Sequence, residues 1–221
     1  MHYLLTAFIA LTVLIASCKN TTDPPGVQLV KEITISLSAA NENPQPAGRT
    51  ESSTASIKIF DDNSITVDAT VNGLSSSDNL TLSHIHTGDP VTNGPVILDF
   101  KPPFTGNILK ATITGVRTSL IDSLKAGTAD LYMNIHSTQA GGGLLRGQLF
   151  NPIIFDSTVV LSGANEVPAV TTTATGTALL RITTDNKLYT KLTVSGIETG
   201  DAFAFAHIHT GATGVNGPVI L

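Results

Sequence analysis

The sequence predicts an all-β protein, an antiparallel β-sandwich or Greek-key barrel, built as a tandem duplicated domain whose second copy is incomplete. Three observations predict it. Apolar residues alternate with polar ones at a period of two through a series of short segments. Clusters of Gly, Asn, Asp and Pro separate those segments. Blocks of the first half then recur, in the same order, in the second.

The elements follow in chain order. Ile33, Ile35 and Leu37 alternate with polar residues, as do Ile57 and Ile59, and then Ile65, Val67, Ala69 and Val71. Leu80 and Leu82 open a further strand. Val96 to Phe100, Ile108 to Val116, Leu131 to His136 and Leu144 to Phe150 complete the set. Turns are expected at Asp61-Asp62-Asn63, Asn72-Gly73, Asn93-Gly94-Pro95 and Gly141-Gly142-Gly143. One helix is expected at Ser119 to Lys125, with Leu120, Ile121 and Leu124 apolar and Gly127 just past its end. About eight short strands with turn signals between them spell a sandwich or barrel.

The repeat is long. Leu37-Ser38-Ala39-Ala40-Asn41-Glu42-Asn43-Pro44 returns as Leu161-Ser162-Gly163-Ala164-Asn165-Glu166-Val167-Pro168. His84-Ile85-His86-Thr87-Gly88 returns as His207-Ile208-His209-Thr210-Gly211, and Asn93-Gly94-Pro95-Val96-Ile97-Leu98 as Asn216-Gly217-Pro218-Val219-Ile220-Leu221. So long a period marks a duplicated domain, not a solenoid unit. The first domain is read as 31–152 and the second as 153–221, its N-terminal half only. The sequence then reads either as a truncated fragment or as a half-domain completed by a partner strand.

The N-terminus reads as an address. Leu4 to Ala16 is an unbroken run of apolar residues and Thr, shorter than the roughly 20 residues a bilayer needs. It fits the apolar part of a signal peptide, 1–17. Ile15-Ala16-Ser17-Cys18 has the form of a bacterial lipobox: small residues fit the peptidase, and the thiol of Cys18 carries the lipid. An ordinary signal peptide, or a buried helix with an incidental Cys, is the plainer alternative. Cys18 is the sole cysteine, so an internal disulfide is impossible. Residues 18–30 then form a lipidated tether. The expected place is the bacterial cell envelope, at the outer membrane or cell surface, because Lys19 is not an acidic sorting residue.

Composition narrows the partners. Twelve basic against 17 acidic residues give −5, which argues against nucleic acid, since phosphate binding wants clustered Lys and Arg. Trp is absent and aromatics are 5%, so base-stacking platforms are unsupported. A hydrophobic fraction of 41% can bury a core. An extracellular protein or glycan is the partner class left open.

Apart from His2, every histidine sits in one of these motifs: His84, His86, His136, His207 and His209. In a strand, residues i and i+2 share a face, about 6–7 Å apart at Cα. A His-x-His pair can therefore chelate Zn or Cu, with His136 as a third ligand to the first pair. The plainer role is to tie the following Thr-Gly loop to the sheet by hydrogen bonds. Leu80, Leu82, His84 and His86 share a parity, as do Phe203, Phe205, His207 and His209. Unless a bulge intervenes, the imidazoles thus extend the apolar face and lie at the rim of the core. Desolvation there would keep them neutral.

Asp78 and Asp201, six residues before each pair, could orient a ring, but a solvated loop role is expected. Asn41-Glu42 and Asn165-Glu166 read as strand-end caps or ligand carboxylates. Arg146 could pair with Glu42. The chain has no Gly-rich phosphate loop before a helix, no G-x-S-x-G elbow and no Cys nucleophile, and no carboxylate pair is placed for acid–base work.

These blocks, with Gly196, Tyr132-Met133-Asn134-Ile135-His136 and Leu145-Arg146-Gly147-Gln148-Leu149, resemble the CHRD domain, named after chordin and found in many bacterial secreted proteins. The resemblance covers 31 to 221. It departs at Asn43, where Val is usual, and at Ala39, where Gly is usual. It implies an extracellular β module and carries no established reaction or ligand. The His-x-His strand also looks like the copper-binding strand of Cu/Zn superoxide dismutases, whose bridging ligands and disulfide have no match here. The expectation is a lipid-anchored, non-enzymatic binding or structural module. The alternative is a Zn- or Cu-binding module or metalloenzyme.

Overall fold

The computed structural model describes residues 26–101 and 104–221. The expected signal peptide (1–17), Cys18 and the tether up to residue 25 lie outside the described residues. Within 26–152 the strands are β1 (Leu29–Ser38), β2 (Ser52–Phe60), β3 (Ile65–Asn72), β4 (Leu80–Thr87), β5 (Val96–Asp99), β6 (Phe104–Thr105), β7 (Ile108–Ile113), β8 (Leu131–Ser137) and β9 (Leu145–Gln148). The one α-helix among the described residues, α1 (Thr118–Ala126), buries Leu120, Ile121 and Leu124. It stops at Gly127, whose φ of 70° lets its N–H reach the Ser123 carbonyl.

All nine strands join one sheet in the order β5-β4-β8-β9-β1-β2-β3-β7-β6. The pairings are antiparallel throughout. Strands β1 and β9 meet at one residue pair, Ser38 and Arg146. There the sheet curls on itself, so that the inner faces of β1–β3 and of β4, β8 and β9 share a core. Ile35, Leu37, Ile57 and Val67 come from one side, and Ile85, Met133, Ile135 and Leu145 from the other. Burying such side chains is worth roughly 1.5–3 kcal/mol each, so closing this core is what makes the sheet curl.

In the second repeat, β10 (Ile153–Ser162), β11 (Thr175–Thr183) and β12 (Leu188–Ser195) form a separate three-stranded sheet. Its pairing reproduces β1–β3: Leu161 faces Gly176 as Leu37 faces Ser53. The inward face does not reproduce their burial. Val159 and Leu192 are 37% and 43% exposed, where Ile35 and Ala69 are 0% and 5%. Among the described residues, nothing stands over this sheet as β4, β8, β9 and α1 stand over β1–β3. The two sheets touch where Arg181 of β11, itself buried, donates to the Ala40 carbonyl, 3.3 Å away.

Candidate metal centre

The site is built on β4 and β8. In their pairing Leu80 faces Ser137 but Ser83 faces Ile135, so β4 carries one extra residue there. This bulge reverses the parity. Ser83 and Ile85 are fully buried, whereas Leu82 is 47% exposed. The expectation that His84 and His86 extend the apolar face is therefore corrected. They do share a side, but it is the outer side, because Ile85 takes the core position between them. On β8, Met133 and Ile135 point inward, and Tyr132, Asn134 and His136 share the outer face.

Antiparallel pairing brings His136 beside His84. The His84 Nδ1 to His136 Nε2 distance is 3.3 Å. The ring centroids of His84 lie 5.5 Å from those of His86 and 5.1 Å from those of His136. One ligand nitrogen from each of the three lies within 4.8 Å of the others. Nitrogens bound at about 2.0–2.1 Å in a tetrahedron are about 3.3–3.4 Å apart, so small side-chain adjustments close the set around one ion.

Backbone carbonyls fix two of the rings. His86 donates from Nδ1 to the Gly94 carbonyl at 2.9 Å, and His136 from Nδ1 to the Gly141 carbonyl at 3.0 Å. A carbonyl only accepts, so each neutral ring keeps a bare lone pair on Nε2. The Nε2 of His86 is buried and has no hydrogen-bond partner among the described residues. Gly94 is required where it stands, since a Cβ would lie 1.8 Å from the Thr87 carbonyl oxygen. The Asn93-Gly94-Pro95 block, predicted only as a turn, thus supplies the carbonyl that aims His86. The sequence reading did not single out Asp99, whose Oδ1 lies 3.7 Å from His84 Nε2.

Burial lowers the pKa of all three histidines; for His84 the neighbouring His136 adds to the effect. They are neutral near pH 7 and able to ligate. The desolvating cover is the loop packing on the outer face. Arg146 of β9 is fully buried and donates to Asn93 Oδ1 at 2.8 Å and to the Asp89 and Thr92 carbonyls at 2.6 and 3.0 Å. Its guanidinium lies 3.6 Å from the centre of the Tyr132 ring, and Tyr132 in turn stacks on His86 at 4.8 Å with 7° between planes.

Glu42 is buried rather than a bland cap. It accepts a hydrogen bond from Asn134 Nδ2 and feels the charge of Arg146, whose donors go to the 89–93 loop and to Gln148. Desolvation outweighs Arg146 and pushes the Glu42 pKa up to about 7.

Asp78 is corrected as well: it is buried, not solvated. It ion-pairs with Arg49 and accepts from Ser137 Oγ at 2.8 Å, Thr138 Oγ1 at 2.7 Å and the Gln139 N–H at 3.1 Å. Burial alone would raise its pKa, but these donors hold it well below the usual carboxylate range. Asp201 is exposed.

His207 and His209 keep the arrangement of the first pair. Their ring centroids are 5.9 Å apart at 80°, and His209 Nδ1 lies 2.8 Å from the Gly217 carbonyl, as His86 does from that of Gly94. Both are exposed, and among the described residues no third ligand group joins them.

Among curated proteins and among solved structures, none matches the chain. A family model describing the CHRD domain matches residues 33–149 and 157–221, one stretch in each repeat, and on that match the chain belongs to the CHRD domain family.

Proposed function

We propose that this protein is a non-enzymatic binding module of the bacterial cell envelope, and that its ligand is one Cu²⁺ or Zn²⁺ ion held by His84, His86 and His136. The observation that carries this reading is the buried, unpartnered Nε2 of His86 beside the 3.3 Å pair of His84 and His136. A buried polar atom with no partner costs about 1–3 kcal/mol, and a cation removes that cost. Three neutral imidazoles with no thiolate suit Zn²⁺ and Cu²⁺, with Cu²⁺ favoured by the usual affinity order. The module is tethered by lipid on Cys18 after removal of residues 1–17.

Titration calorimetry and elemental analysis of the purified protein test the metal reading. One Cu²⁺ or Zn²⁺ per chain is expected, lost in the His84→Ala, His86→Ala double variant and retained in His207→Ala, His209→Ala. No stoichiometric uptake by the wild-type protein, or uptake unchanged in the first variant, would overturn it.

A further inference from the structure

The two ring nitrogens of His84 face different groups, and only one of them can carry the proton in the neutral ring. Nδ1 is 3.3 Å from His136 Nε2. His136 Nε2 is a bare acceptor, because His136 Nδ1 donates to the Gly141 carbonyl. The donor in this contact is therefore His84 Nδ1–H. That leaves His84 Nε2 unprotonated, 3.7 Å from an Asp99 oxygen that also only accepts. At that distance the two are not hydrogen-bonded. Asp99 is held across from His84 by the β4–β5 register, and its Oδ1 is oriented by the Lys101 N–H at 2.8 Å.

We propose that Asp99 is a positioning residue that selects the metal-binding tautomer of His84. The inference rests on the metal reading above. For His84 to ligate through Nδ1, the proton on Nδ1 must leave. The ring stays neutral when a proton is bound at Nε2, where Asp99 Oδ1 accepts the new N–H. One proton is lost at Nδ1 and one gained at Nε2, so the ring neither releases nor takes up a net proton. The 3.7 Å gap shortens to a hydrogen bond on loading. His86 and His136 need no such step, since backbone carbonyls already hold their protons on Nδ1. All three ligands then have an acceptor behind them: two backbone carbonyls and one carboxylate. Such acceptors behind a ligand are commonly worth 10–100-fold in affinity.

The test is Zn²⁺ titration of wild type, Asp99→Asn, Asp99→Glu and, as a charge control, Asp68→Asn, whose carboxylate pairs with Lys110 away from the site. Long-range ¹H–¹⁵N spectra report the His84 tautomer. Thermal melts of the metal-free proteins show whether each variant is folded. The expected result is a 10–100-fold weaker Kd in Asp99→Asn, partial recovery in Asp99→Glu and little change in Asp68→Asn. In wild type, His84 passes from Nδ1–H to Nε2–H on loading. Equal Kd for Asp99→Asn and Asp68→Asn, or a His84 proton that is already on Nε2 without metal, overturns the proposal and leaves the metal reading standing. Absence of Zn²⁺ and Cu²⁺ uptake by wild type overturns both.

Discussion

Glu42 shows at the scale of one residue how burial sets chemistry. Its carboxyl titrates at about 7 in the folded chain against 4.5 as a free side chain. A raised acid pKa means that the folded state holds the proton more tightly. The resulting stability is present in full below pH 4.5 and is lost as pH rises through 7, by roughly 3 kcal/mol for a shift of this size. Glu42→Gln keeps the shape and removes the titration. Its stability relative to wild type should therefore climb between pH 5 and pH 8 in urea unfolding; parallel curves would show that Glu42 does not titrate there. That Glu42 and Arg146 lie in one region was legible in their types and in the strand ends they occupy. Their burial was not, because it arises from the 39–46 and 88–95 segments packing on the outer face, and no local pattern encodes that packing. Asp78 escaped for the same reason: its partners Arg49, Ser137 and Thr138 come from two other parts of the chain.

At the scale of the element, period-two alternation located β1, β2, β3 and the start of β4, and apolar segments between turn signals located β5, β7, β8 and β9. The two-residue β6 was missed, and Gly127 marked the end of α1. The same alternation misread the orientation of β4. Leu82 is apolar and two residues before His84, which aligns the histidines with the core only if the strand is regular. The extra residue between Leu80 and Ser83 breaks that assumption. The usable signal was Ile85: a β-branched residue between two histidines claims the inward position more strongly than an imidazole does. The register yields a prediction. Deleting Leu82 should regularise the ladder, because Leu80–Ser137 and Ser83–Ile135 then become successive inward pairs and His84 and His86 stay outside. Chemical unfolding should show a loss within about 1 kcal/mol, the range of surface changes. A loss above about 3 kcal/mol would indicate that the histidine face had been turned inward, as a one-residue slip does in a regular strand.

The whole molecule combines a closed unit and an open one. The first repeat buries its apolar faces in one core, while the β10–β12 sheet presents Val159, Leu161 and Leu192 partly exposed. The duplication itself was fully legible, since three blocks recur in order. The third histidine was legible only as a candidate, because the β4–β8 register that brings it to His84 joins residues 52 apart in the chain. Among the described residues no helix is long and apolar enough to cross a membrane. The envelope placement proposed above depends instead on lipid at Cys18. Intact-mass and peptide spectra of the protein from bacterial membranes should give a mature chain beginning at Cys18 with a diacylglycerol adduct. An unmodified Cys18, or a different first residue, would remove the anchor.

The contact of His209 with the Gly217 carbonyl matches that of His86 with Gly94, although the surroundings of the two hairpins differ. The stretch from the first histidine to the glycine is thus a self-contained arm bearing two imidazoles, folded by its own turn. Whatever strand is laid along its free edge chooses what joins the two imidazoles. Grafted onto another hairpin with a histidine on the neighbouring strand, those dozen or so residues carry their own geometry with them.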